Sequence, residues 1–234
     1  MEKYLAEIIG TLVLVLLGDG VVANVVLNRT KGNNSGWIVI AIGWACAVLV
    51  PALIFGRISG AFFNPALTVA LACINQIEWN VAFGFILCQF LGAFIGACLV
   101  YLQYKDHFDA TADRDSKLAV FCTGPAIRDI PFNFISEFIG TFILVFAILG
   151  IGKVDFANGL GTFGVGGIIL VIGICLGGTT GYAINPARDL GPRIAHFLLP
   201  IKDKRDPDWA YSWVPVVAPV CGAVSAALLG NAIF

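Results

Sequence analysis

Long apolar runs separated by short polar breaks make up most of this chain, and the length of each run decides how it is read. Six long runs stand out: about Tyr4 to Leu27, Trp37 to Phe55, Trp79 to Tyr104, Phe132 to Ile151, Gly161 to Leu176 and Trp213 to Phe234. A helix that crosses about 30 Å of hydrocarbon needs about 20 apolar residues, so these runs are expected to span a membrane. Two further runs begin at Asn64 and Asn185 and hold only about 11 to 14 residues before a polar or proline break. At about 1.5 Å per residue they reach about 16 to 20 Å, close to half a bilayer, and read as half-helices. The polar connections are 28–36, a long one over 105–131, a short one around 153–158, and 200–212.

An internal repeat orders these runs. Ala6-Glu7-Ile8-Ile9-Gly10-Thr11 returns as Ser136-Glu137-Phe138-Ile139-Gly140-Thr141, and Gly60-Ala61-Phe62-Phe63-Asn64-Pro65-Ala66 returns as Gly181-Tyr182-Ala183-Ile184-Asn185-Pro186-Ala187. The chain therefore divides into halves of about 1–104 and 132–234 joined by the loop 105–131, all within one transmembrane domain spanning 1–234. Each half holds three spans, an odd number, so the second half enters the membrane in the opposite sense to the first. The two half-helices then arrive from opposite faces and meet near the middle. The fold expected is all-α: six transmembrane helices plus two half-helices in an inverted repeat.

Composition agrees and excludes other classes. Hydrophobic residues make up 59% of the 234 and charged residues 12%, with a formal net charge of −1, a balance unlike that of a soluble domain. Apart from Lys202, Lys204 and Arg205 the basic residues are scattered, so no patch is available to track a nucleic acid backbone. All of the seven cysteines but Cys122 lie in apolar runs, without CxxC or His-paired spacing, and read as small hydrophobes and not as metal ligands or disulfides. The first apolar run is longer than a signal-peptide core, contains Glu7 and is followed by no small-residue cleavage site, so it is expected to stay as the first span. Asn28-Arg29-Thr30 and Asn33-Asn34-Ser35 match the glycosylation triplet, a pattern that polar loops often produce by chance. No cofactor, metal site or catalytic cluster is expected: nothing resembles a Ser/His, Asp/Asp or metal-spaced set.

Asn-Pro-Ala, present twice, is the motif that carries chemistry. Asn is a favoured N-cap, and Pro suits the first helical position because its missing N–H is not needed there. When the Asn side-chain oxygen caps the first turn, its amide group is left as a donor pointing away from the helix. Asn64 and Asn185 would then face one another at mid-membrane, each at the positive end of a helix dipole, where a cation meets unfavourable potential and a neutral hydroxyl oxygen is accepted. A single copy would be an ordinary capped helix. Two copies, each in a half-length run at equivalent places of an inverted repeat, and each after a Gly-containing stretch whose carbonyls can line a cavity, point to a pore for neutral solutes.

Over nearly its whole length the chain resembles the aquaporin family, most specifically in Ser59-Gly60-Ala61-Phe62-Phe63-Asn64-Pro65-Ala66-Leu67-Thr68 and Gly181-Tyr182-Ala183-Ile184-Asn185-Pro186-Ala187-Arg188-Asp189, with support from Gln89-Phe90-Leu91-Gly92-Ala93 and Trp213-Val214-Pro215. Asp189 after Arg188 is similar to the glycerol-conducting branch. The resemblance implies a narrow point formed by Arg188, Trp44, Tyr182 and Gly173, with the guanidinium donating to successive hydroxyls, the two aromatic rings offering an apolar corner, and Gly173 leaving room for a carbon chain. It further implies that the carbonyls of Gly60, Ala61, Phe62, Phe63, Gly181, Tyr182 and Ala183 line the path, that Glu7 and Glu137 fix the irregular backbone before each half-helix, and that Asp189 is structural support. The function implied is a passive channel for glycerol and other small uncharged solutes, with water as co-permeant and ions and protons excluded. A homotetramer in a bacterial plasma membrane, in contact with lipid, is implied in the same way.

Three features depart from the family pattern. Phe62 stands where His is common, Tyr182 where glycerol channels mostly have Phe, and Asp19 lies between Gly18 and Gly20 well within the first span, either lining an outer vestibule or capped by a neighbouring helix. Charge distribution also opposes the family orientation, since an inside N-terminus puts Lys3, Arg57 and Lys153 inside but Arg29, Lys31, Lys105, Arg114, Lys117, Arg128 and Lys202 outside. The alternatives are a water-selective pore of the same family, a secondary transporter, which would need coupling residues beyond Glu7, Glu137 and Asp19, and an intramembrane enzyme.

Overall fold

A computed structural model describes residues 1–157 and 159–234. The described residues form nine helices and no strand. The spans are α1 (Glu2–Val26), α2 (Trp37–Ser59), α4 (Trp79–Ala110), α6 (Ile130–Ile151), α7 (Leu160–Cys175) and α9 (Val214–Ile233); the half-helices are α3 (Pro65–Cys73) and α8 (Pro186–Leu198); α5 (Arg114–Ala119) is one short helix in the long connection. Five of these helices are long and apolar enough to cross a membrane, while α7 keeps the 16-residue length of its apolar run and is the short one of the six. The half-helices hold 9 and 13 residues, so α3 is shorter than its apolar run suggested.

The long connection is also less open than a loop over 105–131. Helix α4 continues past the expected end to Ala110, with a single non-helical residue at Tyr104 where the apolar run stops. Asp113 then caps α5 by accepting from the N–H groups of Asp115 and Ser116. The short connection expected over 153–158 ends on Asn158, which lies outside the described residues.

The packing repeats across the two halves. Helix α1 packs on α4 and α2, as α6 packs on α9 and α7, and each half-helix lies against the third span of the opposite half, α3 on α9 and α8 on α4. Two glycines allow the tightest of these approaches. A Cβ on Gly92 of α4 would fall 2.3 Å from the Ile8 carbonyl oxygen of α1, and one on Gly222 of α9 would fall 2.3 Å from the Phe138 carbonyl oxygen of α6. Small residues at crossing points are how helices associate where lipid removes any hydrophobic drive between them. The outward faces carry exposed Leu5, Ile9, Phe83, Leu87, Leu102 and Phe132, and Trp37, Trp79 and Trp213 stand half-exposed at helix starts, as in an interfacial aromatic belt.

Candidate functional site

Each half-helix is entered through an extended stretch that runs against backbone preference. Gly60 (φ 88°), Ala61 (54°) and Phe63 (48°) precede Asn64, and Gly181 (84°), Tyr182 (41°) and Ile184 (44°) precede Asn185. Left-handed backbone at a residue with a Cβ costs about 1–3 kcal/mol and persists only where the surroundings enforce it. Two buried carboxylates supply that enforcement. Glu7 accepts from Ser59 Oγ (2.6 Å), the N–H of Phe62 (3.1 Å), the N–H of Phe63 (2.8 Å) and Gln89 Nε2 (2.8 Å). Glu137 accepts from Thr180 Oγ1 (2.6 Å) and the N–H groups of Ala183 and Ile184 (2.9 Å each).

The paired Asn side chains are tied more closely than two free donors facing each other. Asn64 Oδ1 caps Ala66 N–H and Asn185 Oδ1 caps those of Ala187 and Arg188. One amide hydrogen of each, however, crosses to the opposite half, Asn64 Nδ2 donating to the Ile184 carbonyl and Asn185 Nδ2 to the Phe63 carbonyl, both at 2.8 Å. The Phe63 carbonyl, expected to serve a passing hydroxyl, is thus already engaged, and each amide keeps one further hydrogen for a solute. Pro65, Ala66, Pro186 and Ala187 are buried in the first helical turns.

Of the four residues expected at the narrow point, three come together. The Arg188 guanidinium lies 4.0 Å from the centroid of the Trp44 ring, within cation–π range. Tyr182 lines the same cavity. Gly173 does not wall it: a Cβ there would stand 2.9 Å from Cζ and 3.0 Å from the hydroxyl oxygen of Tyr182, so the space expected to admit a carbon chain is filled by that ring. Trp37 completes the packing, its Nε1 donating to the Gly173 carbonyl at 2.8 Å and its ring meeting Tyr182 edge-on.

The cavity between these groups measures about 70 Å³. One water-sized group needs about 10–15 Å³ on this measure, so the space holds a short file of them. Ala61, Phe62, Asn64, Ala183 and Asn185 bring backbone and amide polarity to it, while Leu14, Val48, Leu144, Ile148, Val165 and Ile169 of four different spans form an apolar wall. It shares Val48, Ala61, Leu67, Ile148 and Val165 with a vestibule of about 800 Å³ on the side of Arg57, which Gly60 lines. Gly181 lines neither, its N–H bonding the Gly177 carbonyl.

Asp189 stands behind Arg188 and holds α8 to the loops. Its Oδ2 accepts from both the N–H and the hydroxyl of Thr123 (2.7 Å each), and it pairs with Arg193 at 2.8 Å, both side chains fully buried. Arg193 in turn donates to the carbonyls of Thr123, Pro207 and Asp208. In the same loops burial pushes the Cys122 thiol and the Tyr211 hydroxyl up, so both stay neutral beside this pair.

Sequence reasoning did not single out Ser59, Thr180, Gln89 and Ile184 for these bonding roles. The first two carry a legible signal, a hydroxyl residue immediately before the glycine in both copies of the repeat; Gln89 has none, since its bonds to Glu7 and Thr68 have no counterpart in the second half.

Comparison with known proteins follows the same lines. The family model described as Major intrinsic protein matches residues 1–229. A probable glycerol uptake facilitator protein of Thermotoga maritima is 56% identical over 234 residues, covering 100% of both chains. The glycerol uptake facilitator proteins of Streptococcus pneumoniae and Bacillus subtilis are 53% and 49% identical, covering 98% and 100% of this chain and 98% and 85% of their own. Among solved structures, the aquaglyceroporin from Plasmodium falciparum superimposes with a TM-score of 0.87 at 33% identity, covering 98% of this chain and 95% of that one.

Proposed function

The chain belongs to the major intrinsic protein family, and from that premise we propose that it is a passive channel for glycerol and other small uncharged solutes, with water as co-permeant. It is a channel and not an enzyme. The observation that carries the reading is the mixed lining of the cavity at Arg188: a guanidinium 4.0 Å from the Trp44 ring, with the residues around both Asn caps and apolar side chains from four spans. A polyol has the same mixture, hydroxyls along one edge and CH groups along the other, and can exchange its hydration for donors and acceptors without leaving its carbon chain against polar groups. An ion cannot recover its hydration there, and the positive ends of α3 and α8 oppose cations and protons at the Asn pair.

Trp44, Tyr182 and Arg188 form the constriction, and Gly173 serves it from behind by giving Tyr182 its place. That packing narrows the passage and favours linear polyols entering end-on over branched ones. One 234-residue domain forms one pore. The chain assembles as a homotetramer in a bacterial plasma membrane with its apolar faces against lipid or neighbouring copies, in keeping with the bacterial relatives and the exposed Leu, Ile and Phe side chains. Uptake of labelled glycerol into proteoliposomes tests the mechanism. Initial rates should rise linearly with glycerol concentration and ignore imposed ion gradients; saturation together with gradient-driven accumulation would make the protein a transporter instead.

A further inference from the structure

Helix α1 carries a carboxylate at membrane depth that the pore scaffold does not use. Asp19 is fully buried, and neither of its oxygens meets a hydrogen-bond donor among the described residues. The charge beside it is Arg188, whose Nη1 is itself buried without an acceptor and lies 3.7 Å from Asp19 Oδ1. Asp189, though next to Arg188 in sequence, has both oxygens engaged by Thr123 and Arg193, which leaves Asp19 as the carboxylate available to that guanidinium. The preceding residue supports the other partner of the stack: a Cβ on Gly18 would fall 2.2 Å from Cζ3 of Trp44. Two consecutive residues of α1 therefore stand behind both members of the Arg188–Trp44 pair.

The internal repeat separates this arrangement from the duplicated scaffold. Glu7 and Glu137 are related by an offset of 130 residues, and the same offset relates Asp19 to Leu149. Asn64 and Asn185 are related by 121, and that offset relates Arg188 to Leu67. Leu67 and Leu149 belong to one apolar cluster. The repeat thus relates the Asp19–Arg188 pair, one residue from each half, to a second cross-half pair, Leu149 and Leu67, that is apolar.

We propose that Asp19 is the counter-ion of Arg188, a positioning residue that turns Nη1 away from the passage and makes the constriction electrically neutral, so that it rejects small anions as well as cations. An unpaired guanidinium in a narrow, water-poor passage would attract an anion, and a carboxylate 3.7 Å away cancels that field while leaving the other guanidinium hydrogens to donate to hydroxyls. Cations are already opposed by the half-helix dipoles, so Asp19 supplies the half of ion exclusion that the dipoles do not. The inference rests on Arg188 forming the constriction.

Proteoliposomes of the wild type, Asp19→Asn and Asp19→Glu test it, with water, glycerol and nitrate entry each measured. The wild type and Asp19→Glu should admit water and glycerol and exclude nitrate, while Asp19→Asn should admit nitrate at least about tenfold faster than the wild type with water flow retained. Unchanged nitrate exclusion in a water-conducting Asp19→Asn overturns the proposal, as does an equal nitrate leak in Asp19→Glu. If Asp19→Asn conducts no water, the double variant Asp19→Leu with Arg188→Leu, which copies the repeat-related Leu149 and Leu67, decides: a higher melting temperature than either single leucine variant supports the pairing, and one no higher than theirs refutes it. Wild-type vesicles that admit no glycerol would remove the constriction reading and this inference together, whereas glycerol entry with nitrate still excluded by Asp19→Asn removes the inference alone.

Discussion

Tyr182 and Gly173 share one volume, so a side chain added at residue 173 is felt at the Tyr182 ring. A glycine in a span signals that something is close, but which group fills the space depends on a side chain from a stretch nine residues later and on the helix opposite. Arg188 could be placed at a cavity because the motif fixes it and membrane depth forbids it from facing lipid, and Trp44 only through the family resemblance; the Asp19 contact was not legible, because it joins α1 to α8, 169 residues apart. Gly173→Ala should therefore act through Tyr182: the added methyl meets a buried ring and should cost about 1–3 kcal/mol, read as a lower melting temperature in detergent, with glycerol flux reduced more than water flux. Tyr182→Phe should behave oppositely. Its hydroxyl has no partner among the described residues, so stability should stay the same or rise by up to about 1 kcal/mol, and glycerol flux should be kept.

At the scale of elements, local signals were the dependable ones. Both half-helices start where Asn-Pro-Ala places them, because an N-cap and a proline act within one turn. The run at Gly161 to Leu176 likewise matched α7, whereas α3 ends earlier than its apolar run, since such runs do not mark where a helix turns back. The strained entry to each half-helix depends on its carboxylate. Glu137→Gln replaces one acceptor oxygen by a donor facing an N–H of Ala183 or Ile184, which should destabilise the protein by about 1–3 kcal/mol and lower glycerol and water flux together. Between elements, Gly222→Ala would drive a methyl into the Phe138 carbonyl, so α9 should separate from α6 and the melting temperature fall, with Gly92→Ala matching it at α4 and α1.

The whole molecule is two copies of one motif facing each other, and that symmetry was readable because two short segments recur in order. What the repeat does not predict is where the halves differ, and the differences are concentrated around Arg188: Asp19 behind it, and Asp189 and Arg193 fastening α8 to the loops at 123 and 207–208. Asp189→Asn should leave Arg193 buried without its counter-charge and destabilise the fold by about 3–5 kcal/mol, visible as a large drop in melting temperature or loss of folded protein on extraction. One property separates a glycerol channel from a water pore, passage of glycerol where larger solutes are held back. Light scattering from proteoliposomes after separate sucrose and glycerol jumps measures it directly. Fast shrinkage in both, followed by rapid reswelling in glycerol alone, is the result expected; shrinkage without reswelling in glycerol would make this a water pore and contradict the account of the cavity at Trp44, Tyr182 and Arg188.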